Sequence, residues 1–435
     1  MKRVSHLTAL ALLVGLASSC AGAADMAASV TLQQLQQRSG IAIDTRQSAF
    51  YNGWPQALNG PQGHEPAALN LSAGWLSAMS DEQLAEWLKQ HKLAADTPVA
   101  LYGADRETRA VSARLQKAGL KHISALADAL AEPQRLQKQP HFEQLVYPQW
   151  LRDLQQGKKV AAAPAGEWKV FEAGWGTPKY YLLSHIPGAG YIDTNDVESE
   201  PLWNKVPDDK LKALLAKSGI RHDTTVILYG RDVYAAARVA QILLYAGVKD
   251  VRLLDGGWKT WSAADLPVGR GMPEKMTPAP DFGAPIPGQP QLMLGLEQAR
   301  ALLHRRDASL VSVRSWPEFI GTTSGYSYIK PKGDIAGARW GHAGSDSTHM
   351  EDFHNPDGTM RSADDITAMW KAWNITSDQQ VSFYCGTGWR AAEAFMYARA
   401  MGWQHISVYD GGWYEWSQDA KNPVSRGERG PASSL

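Results

Sequence analysis

The stretch VSFYCGTGWRAAEAFMYARAM, Val381 to Met401, holds a short β-type run ending at Tyr384, then Cys385, then a loop punctuated by Gly386 and Gly388. An Ala-rich helical run follows, with Glu393 in its first turns and a stop at Gly402. Cys385 therefore stands where a strand hands over to a helix. The first amides of a helix have no internal partners, and the aligned peptide dipoles add roughly half a positive charge there. A thiol in that field ionises more readily than free cysteine, whose pKa is about 8.5. The spacing points to Cys385 as a thiolate nucleophile with Arg390 nearby. The competing reading is a buried cysteine serving as a small hydrophobe.

The same pattern occurs twice earlier. Val99–Ala118 reads VALYGADRETRAVSARLQKA and Val226–Ala246 reads VILYGRDVYAAARVAQILLYA. The interval from the residue after the strand to the terminating glycine is 17 from Cys385 to Gly402, 17 from Gly230 to Gly247 and 16 from Gly103 to Gly119. Downstream, Asp255-Gly-Gly-Trp258 matches Asp410-Gly-Gly-Trp413, whereas the first copy offers only Ala127-Asp-Ala-Leu130. Self-similarity over more than a hundred residues means duplicated domains, since each copy is long enough for its own core. Alternating strands and helices predict an α/β fold of three tandem domains, each a parallel sheet with helices on both faces. The expected boundaries are 24–156, 167–271 and 291–430, with a Pro-rich linker over 272–290 and a shorter one at Gly157–Gly166. Only the third copy has a nucleophile, because Gly103 and Gly230 stand where Cys385 stands.

Length and composition agree with this division. A chain of 435 residues suggests roughly three domains. The formal net charge is zero and no basic run occurs, so neither nucleic acid nor an anionic membrane surface is indicated as a partner. Residues 1–23 read as an export signal: Lys2 and Arg3, an apolar run from Leu7 to Ala17 too short to span a bilayer, and the cleavage pattern Ala21-Gly22-Ala23. A periplasmic location follows as an expectation, with a lipoprotein cut at Cys20 as its rival. No later stretch reads as a membrane span. Removing the signal leaves Cys385 as the one cysteine, so no internal disulfide can form, and a lone thiol in an oxidising compartment is better explained by chemistry than by structure. His342, Asp346, His349, Asp352, His354 and Asp357 form a polar segment whose spacing matches no metal-ligand motif; it is expected to border the site, and no metal or cofactor is expected.

The loop Cys385-Gly386-Thr387-Gly388-Trp389-Arg390 resembles the active loop of rhodanese-type sulfurtransferases. Arg314 after a strand, Gly333-Asp-Ile-Ala-Gly-Ala338 and Tyr409-Asp-Gly-Gly-Trp-Tyr-Glu-Trp416 agree with that family's domain pattern. The second and third copies look like its tandem enzymes, and with the degenerate first copy the chain resembles an exported bacterial three-domain thiosulfate sulfurtransferase. The resemblance implies that Cys385 carries sulfur as a persulfide from thiosulfate or a related donor to cyanide, a thiol or a sulfur-carrier protein. It implies that Gly386, Thr387, Gly388, Trp389 and Arg390 hold the persulfide through inward amides and charge, with Arg314 assisting. A thioredoxin-like reductant is a further possible partner, and a monomer is expected.

Departures from the family pattern carry expectations of their own. Ser312 stands where Asp is usual, so an ion pair to Arg314 is expected to be missing. Glu318 stands where an anion-binding Arg is common and would repel anionic donors if it faced the site. Thr387 leaves the loop without the cation that thiosulfate-preferring loops carry, closer to the mercaptopyruvate type. Trp389 narrows the entrance or packs on the neighbouring domain. The enzyme alternative is a Cys-loop phosphatase or arsenate reductase, whose loops place five residues between Cys and Arg where this one has four. The other alternative is a non-catalytic binding role in sulfur relay.

Overall fold

The computed structural model describes residues 28–431; the export signal and Cys20 lie outside the described residues. Three five-stranded sheets follow one another along the chain. The first orders its strands Ser29–Val30, Ile123–Leu126, Val99–Tyr102, Ile41–Asp44 and Leu69–Asn70. In the second the order is Leu145–Val146, Asp250–Leu254, Thr225–Tyr229, Trp168–Gly174 and Gly190–Asp193. The third runs Met293–Leu294, Ile406–Tyr409, Gln380–Tyr384, Ala308–Ser312 and Arg339–Trp340. Every pairing within these sheets is parallel. Their central strands are buried, all but Gln380 at the start of the third, as the runs of Val, Ile, Leu and aromatic residues require of sheets covered on both faces.

Two boundaries differ from expectation. Strand Leu145–Val146 pairs with Asp250–Leu254, and helix Pro148–Gln155 packs Trp150 and Leu151 against Val170, Tyr229 and Trp261, so the second domain begins near residue 145. Gly157–Gly166 is therefore a loop within that domain, held by Trp150 Nε1–H to the Ala161 carbonyl and by Arg252 to the Ala162 carbonyl. Composition alone hid this, because Ala and Lys suit a loop and a linker equally. The Pro-rich segment 272–290 does join the second and third domains. It lies against the second, with Phe282 buried in the core and its carbonyl accepting from His222 N–H.

The second and third domains share one hydrophobic core. Helix Val233–Ala246 is apolar around nearly its whole circumference, and every residue from Ala235 to Ala246 is buried. A helix of that kind needs cover on all sides. One side meets its own sheet and the other meets helix Trp389–Ala400, itself buried from Arg390 to Ala398. Alanines on both helices let the backbones approach closely. Since each helix begins at its loop, the Gly230 and Cys385 loops open beside one another. The first domain docks through Trp54 Nε1–H to the Leu145 carbonyl, His91 to Asp365 and Ser48 to Thr359.

A shared core predicts shared unfolding. Leu243→Ala, at a fully buried position, should cost about 2–5 kcal/mol. In a urea titration followed by fluorescence, the second and third domains should melt in one transition that shifts as a unit; two transitions with only one displaced would contradict this.

Candidate active site

Cys385 follows strand Gln380–Tyr384, whose register with Ala308–Ser312 sets Ser312 opposite Tyr384. The loop then reaches helix Trp389–Ala400, whose N-cap Gly388 has φ +115°, a left-handed conformation suited to glycine. The Gly388 N–H donates to Cys385 Sγ at 3.1 Å. Among the described residues the amides of Gly386, Thr387, Trp389 and Arg390 have no acceptor. The loop carbonyls are turned the other way: Trp413 N–H donates to the Cys385 carbonyl at 2.8 Å and Tyr414 N–H to that of Gly386 at 3.1 Å. This close approach explains Asp410-Gly-Gly-Trp413, because a Cβ on Gly412 would lie 2.5 Å from the Cys385 carbonyl oxygen.

Cys385 is only 1 % exposed, yet it opens onto a cavity of about 560 Å³ between the second and third domains. The wall includes Thr387, Trp389 and Arg390 from the loop, Tyr326, Tyr328 and Tyr414 from the third domain, and Glu198, Trp203 and Tyr234 from the second. The packing is tight at its base, where a Cβ on Gly386 would collide with the Tyr326 ring.

Arg390 is buried and donates to both Glu318 carboxylate oxygens at 2.9 Å and to the Tyr326 hydroxyl at 2.7 Å. Glu318 also accepts from Ser315 N–H and Oγ–H and lies 3.5 Å from Arg314 Nε. Burial alone would raise its pKa, but the two guanidiniums and Ser315 overcome that and hold the carboxyl at about 2. The expectation that Glu318 would repel donors is thus overturned: it faces Arg390 and fixes the end of the loop. The ion pair expected to be missing is present, with its carboxylate from another strand. Arg314 pairs with Asp334 at 3.1 Å, and Asp334 accepts from Ser312 Oγ–H at 2.7 Å. In the first domain the equivalent pair is local, Asp44 with Arg46 at 2.6 Å. Arg314 is spent on Asp334 and on the Gly333 carbonyl and does not line the cavity, so its expected contact with substrate gives way to a supporting one.

Trp389 lines the cavity and packs on the second domain, its Nε1–H donating to Glu198 at 2.5 Å. The polar segment 342–357 borders the site through Ser347 and Thr348; His342 and His349 pair within it, with Asp352 and Asp346, and His354 pairs with Glu393 on helix Trp389–Ala400. Sequence reasoning missed the second domain's share. Arg238 lies buried beneath the loop, 2.8 Å from where a Gly388 Cβ would be, paired with Glu198 at 2.9 Å and Asp410 at 2.6 Å. One charge in an otherwise apolar helix was the signal. Tyr234 occupies the repeat position of Trp389, which also could have marked it. Arg231 stays within its own domain on Glu172 and the Trp258 ring.

The other two loops hold glycine at the position of Cys385, in tight surroundings. A Cβ on Gly103 would collide with Thr45 Oγ1, and one on Gly230 would lie 2.6 Å from the Asp232 carbonyl oxygen. The sequence model of the rhodanese-like domain matches residues 148–264 and 295–419. The chain belongs to the rhodanese family. It is 78 % identical to thiosulfate sulfurtransferase YnjE of Escherichia coli over 100 % of both chains, and the YnjE crystal structure superposes with a TM-score of 0.94, covering 95 % of this chain and 99 % of that one. Sulfur carrier protein TtuD of Thermus thermophilus is 29 % identical over 66 % of this chain and 98 % of its own. An EanB variant bearing a cysteine persulfide, in a tetrahedral intermediate state with ergothioneine, matches with a TM-score of 0.87 at 34 % identity, over 92 % of this chain and all of that one.

Removing one partner of the buried Arg390–Glu318 pair should be costly. Glu318→Gln is expected to lose about 3–5 kcal/mol at pH 7. Because the folded pKa is depressed, the carboxylate's contribution is complete above about 4.3, its unfolded value, and is lost as pH falls towards about 2. Denaturant unfolding across that range should show the variant's deficit shrinking with acidity; a constant deficit would contradict the assignment.

Proposed function

We propose that the protein is a sulfurtransferase in which Cys385 accepts sulfane sulfur from thiosulfate or a related donor and passes it to a thiophilic acceptor. The observation that carries this is the Gly388 amide on Cys385 Sγ at a helix N-terminus, in a loop whose amides at Gly386, Thr387, Trp389 and Arg390 have no acceptor among the described residues. The thiolate attacks the outer sulfur of thiosulfate, the sulfur–sulfur bond breaks, and sulfite leaves with its electron pair. Cys385 then carries a terminal sulfur with negative charge. Unfilled amides and the helix dipole stabilise that charge without reorganising. In the second step an acceptor attacks the terminal sulfur and Cys385 leaves as thiolate, so neither step needs a general base.

Arg390 sets the loop's shape in this scheme, since Glu318 already neutralises it. The same pairing argues against a phosphatase, whose tetrahedral oxyanion needs a free cation and a wider cradle. Cyanide, small thiols and a sulfur-carrier protein or thioredoxin-like reductant are the acceptor classes; the similarity to a sulfur carrier protein supports the protein acceptor. Export to the periplasm is proposed on the sequence of residues 1–23.

After incubation with thiosulfate, an intact mass should rise by one sulfur, about 32 Da, on the peptide containing Cys385. Cys385→Ser should neither gain that mass nor transfer sulfur to cyanide, because a hydroxyl is not ionised by this loop. Retention of most activity in that variant would refute the assignment.

A further inference from the structure

The cavity above Cys385 has a charge and a surface that the transfer of one sulfur atom between small anions does not call for. A volume of about 560 Å³ is the size of an organic ligand's site. Its wall is dominated by aromatic side chains, among them Trp175, Trp203, Tyr234, Tyr328, Trp389 and Tyr414. The charged side chains in the wall are Glu198, Glu200 and Arg390.

Each nearby cation is already matched. Arg390 is held through both nitrogens by Glu318, and Arg314 by Asp334. Arg238, under the loop, faces two carboxylates, Glu198 and Asp410. Glu200 is exposed and, among the described residues, has no ion pair or hydrogen bond. The loop amides thus favour one small negative centre at Cys385, while the rest of the chamber presents aromatic rings and one unpaired carboxylate, Glu200, Glu198 being already held by Arg238 and Trp389. Aromatic faces beside carboxylates attract weakly hydrated organic cations, each such contact being worth about 0.5–2 kcal/mol.

We propose that this chamber is the acceptor site for an organic thiol that carries a positive charge, an amine or quaternary ammonium. The proposal rests on the sulfur-transfer reading above and adds the acceptor's chemical class. The cation sits against Trp203, Trp389 and Glu200, and the thiol reaches the terminal sulfur on Cys385. The acceptor's sulfur forms a bond to that terminal sulfur, the Cys385 sulfur–sulfur bond breaks, and Cys385 departs with the electron pair while the thiol's proton passes to the transferred sulfur: Cys385–S–S⁻ and RSH give Cys385–S⁻ and RS–SH. No oxidant or reductant is consumed. The second domain, which lost its own nucleophile, supplies Trp175, Glu198, Glu200, Trp203 and Tyr234 to this chamber and so sets what the third domain's cysteine serves.

Three thiols of equal length test the proposal: thiocholine, mercaptoethanol and 2-mercaptoethanesulfonate, cationic, neutral and anionic. Protein is first loaded with thiosulfate and the added sulfur on Cys385 confirmed by mass; single-turnover unloading is then followed with each thiol, with rates expressed per thiolate. Thiocholine should unload Cys385 about tenfold faster than the sulfonate, the factor that about 1.4 kcal/mol provides. Glu200→Lys and Trp203→Leu, at exposed and half-buried positions, should each lower that ratio at least about threefold. Normal loading followed by equal rates with the three thiols, or a ratio unmoved in both variants, overturns the cation site and leaves sulfur transfer standing. Failure to load at all overturns the sulfur-transfer reading and the proposal with it.

Discussion

Two backbone hydrogen bonds, from the Trp413 and Tyr414 amides to the Cys385 and Gly386 carbonyls, are the constraint on which the site depends. A short loop cannot turn both its amides and its carbonyls toward one atom. Tying the carbonyls to the following turn leaves the amides facing the sulfur. The turn can come so close only because Gly412 lacks a Cβ and takes φ +56°. Asp410, which opens the turn, is anchored in its place by Arg238 of the neighbouring domain. The chemistry of one cysteine is therefore set by a chain of contacts that runs from a strand end through a turn into a second domain.

A second layer of fixed charge surrounds this loop. Arg390, Glu318, Arg314 and Asp334 form a buried, neutral set in which each guanidinium meets a carboxylate. Such a set is rigid because any displacement would strand a charge out of water. It holds the far end of the loop without adding net positive charge to the cavity. Rigidity and the charge offered to the sulfur are thus separated: the ion pairs supply the first, the loop amides the second.

Much of this was legible in the sequence because it is written in short-range patterns. The strand, Cys385, the two glycines and the Ala-rich run follow one another, and the same order in three copies carried the fold class and singled out Cys385. The Asp-Gly-Gly-Trp turn was visible as a repeat, though not its task of holding carbonyls. What the sequence hid depends on pairings between distant residues. Ser312 looked like a lost ion pair because the replacement, Asp334, lies on another strand. Glu318 looked hostile to substrate because nothing local says that it points at Arg390, 72 residues away. Tyr326 and Tyr328 sit in a segment without periodicity, so no pattern marked them. The boundary near residue 145 was missed because a two-residue edge strand has too little pattern to be read.

The burial of helix Val233–Ala246 from Ala235 to its end has a consequence for the architecture as a whole. A catalytic unit cut loose from its inert sibling would present the apolar flank of its own central helix to solvent, and would leave Asp410 without the guanidinium that steadies it. Duplication here has not produced a working copy beside a spare. It has produced a joined pair, in which the second domain is the foundation beneath the loop, through Arg238, and the roof above it, through Trp203 and Tyr234.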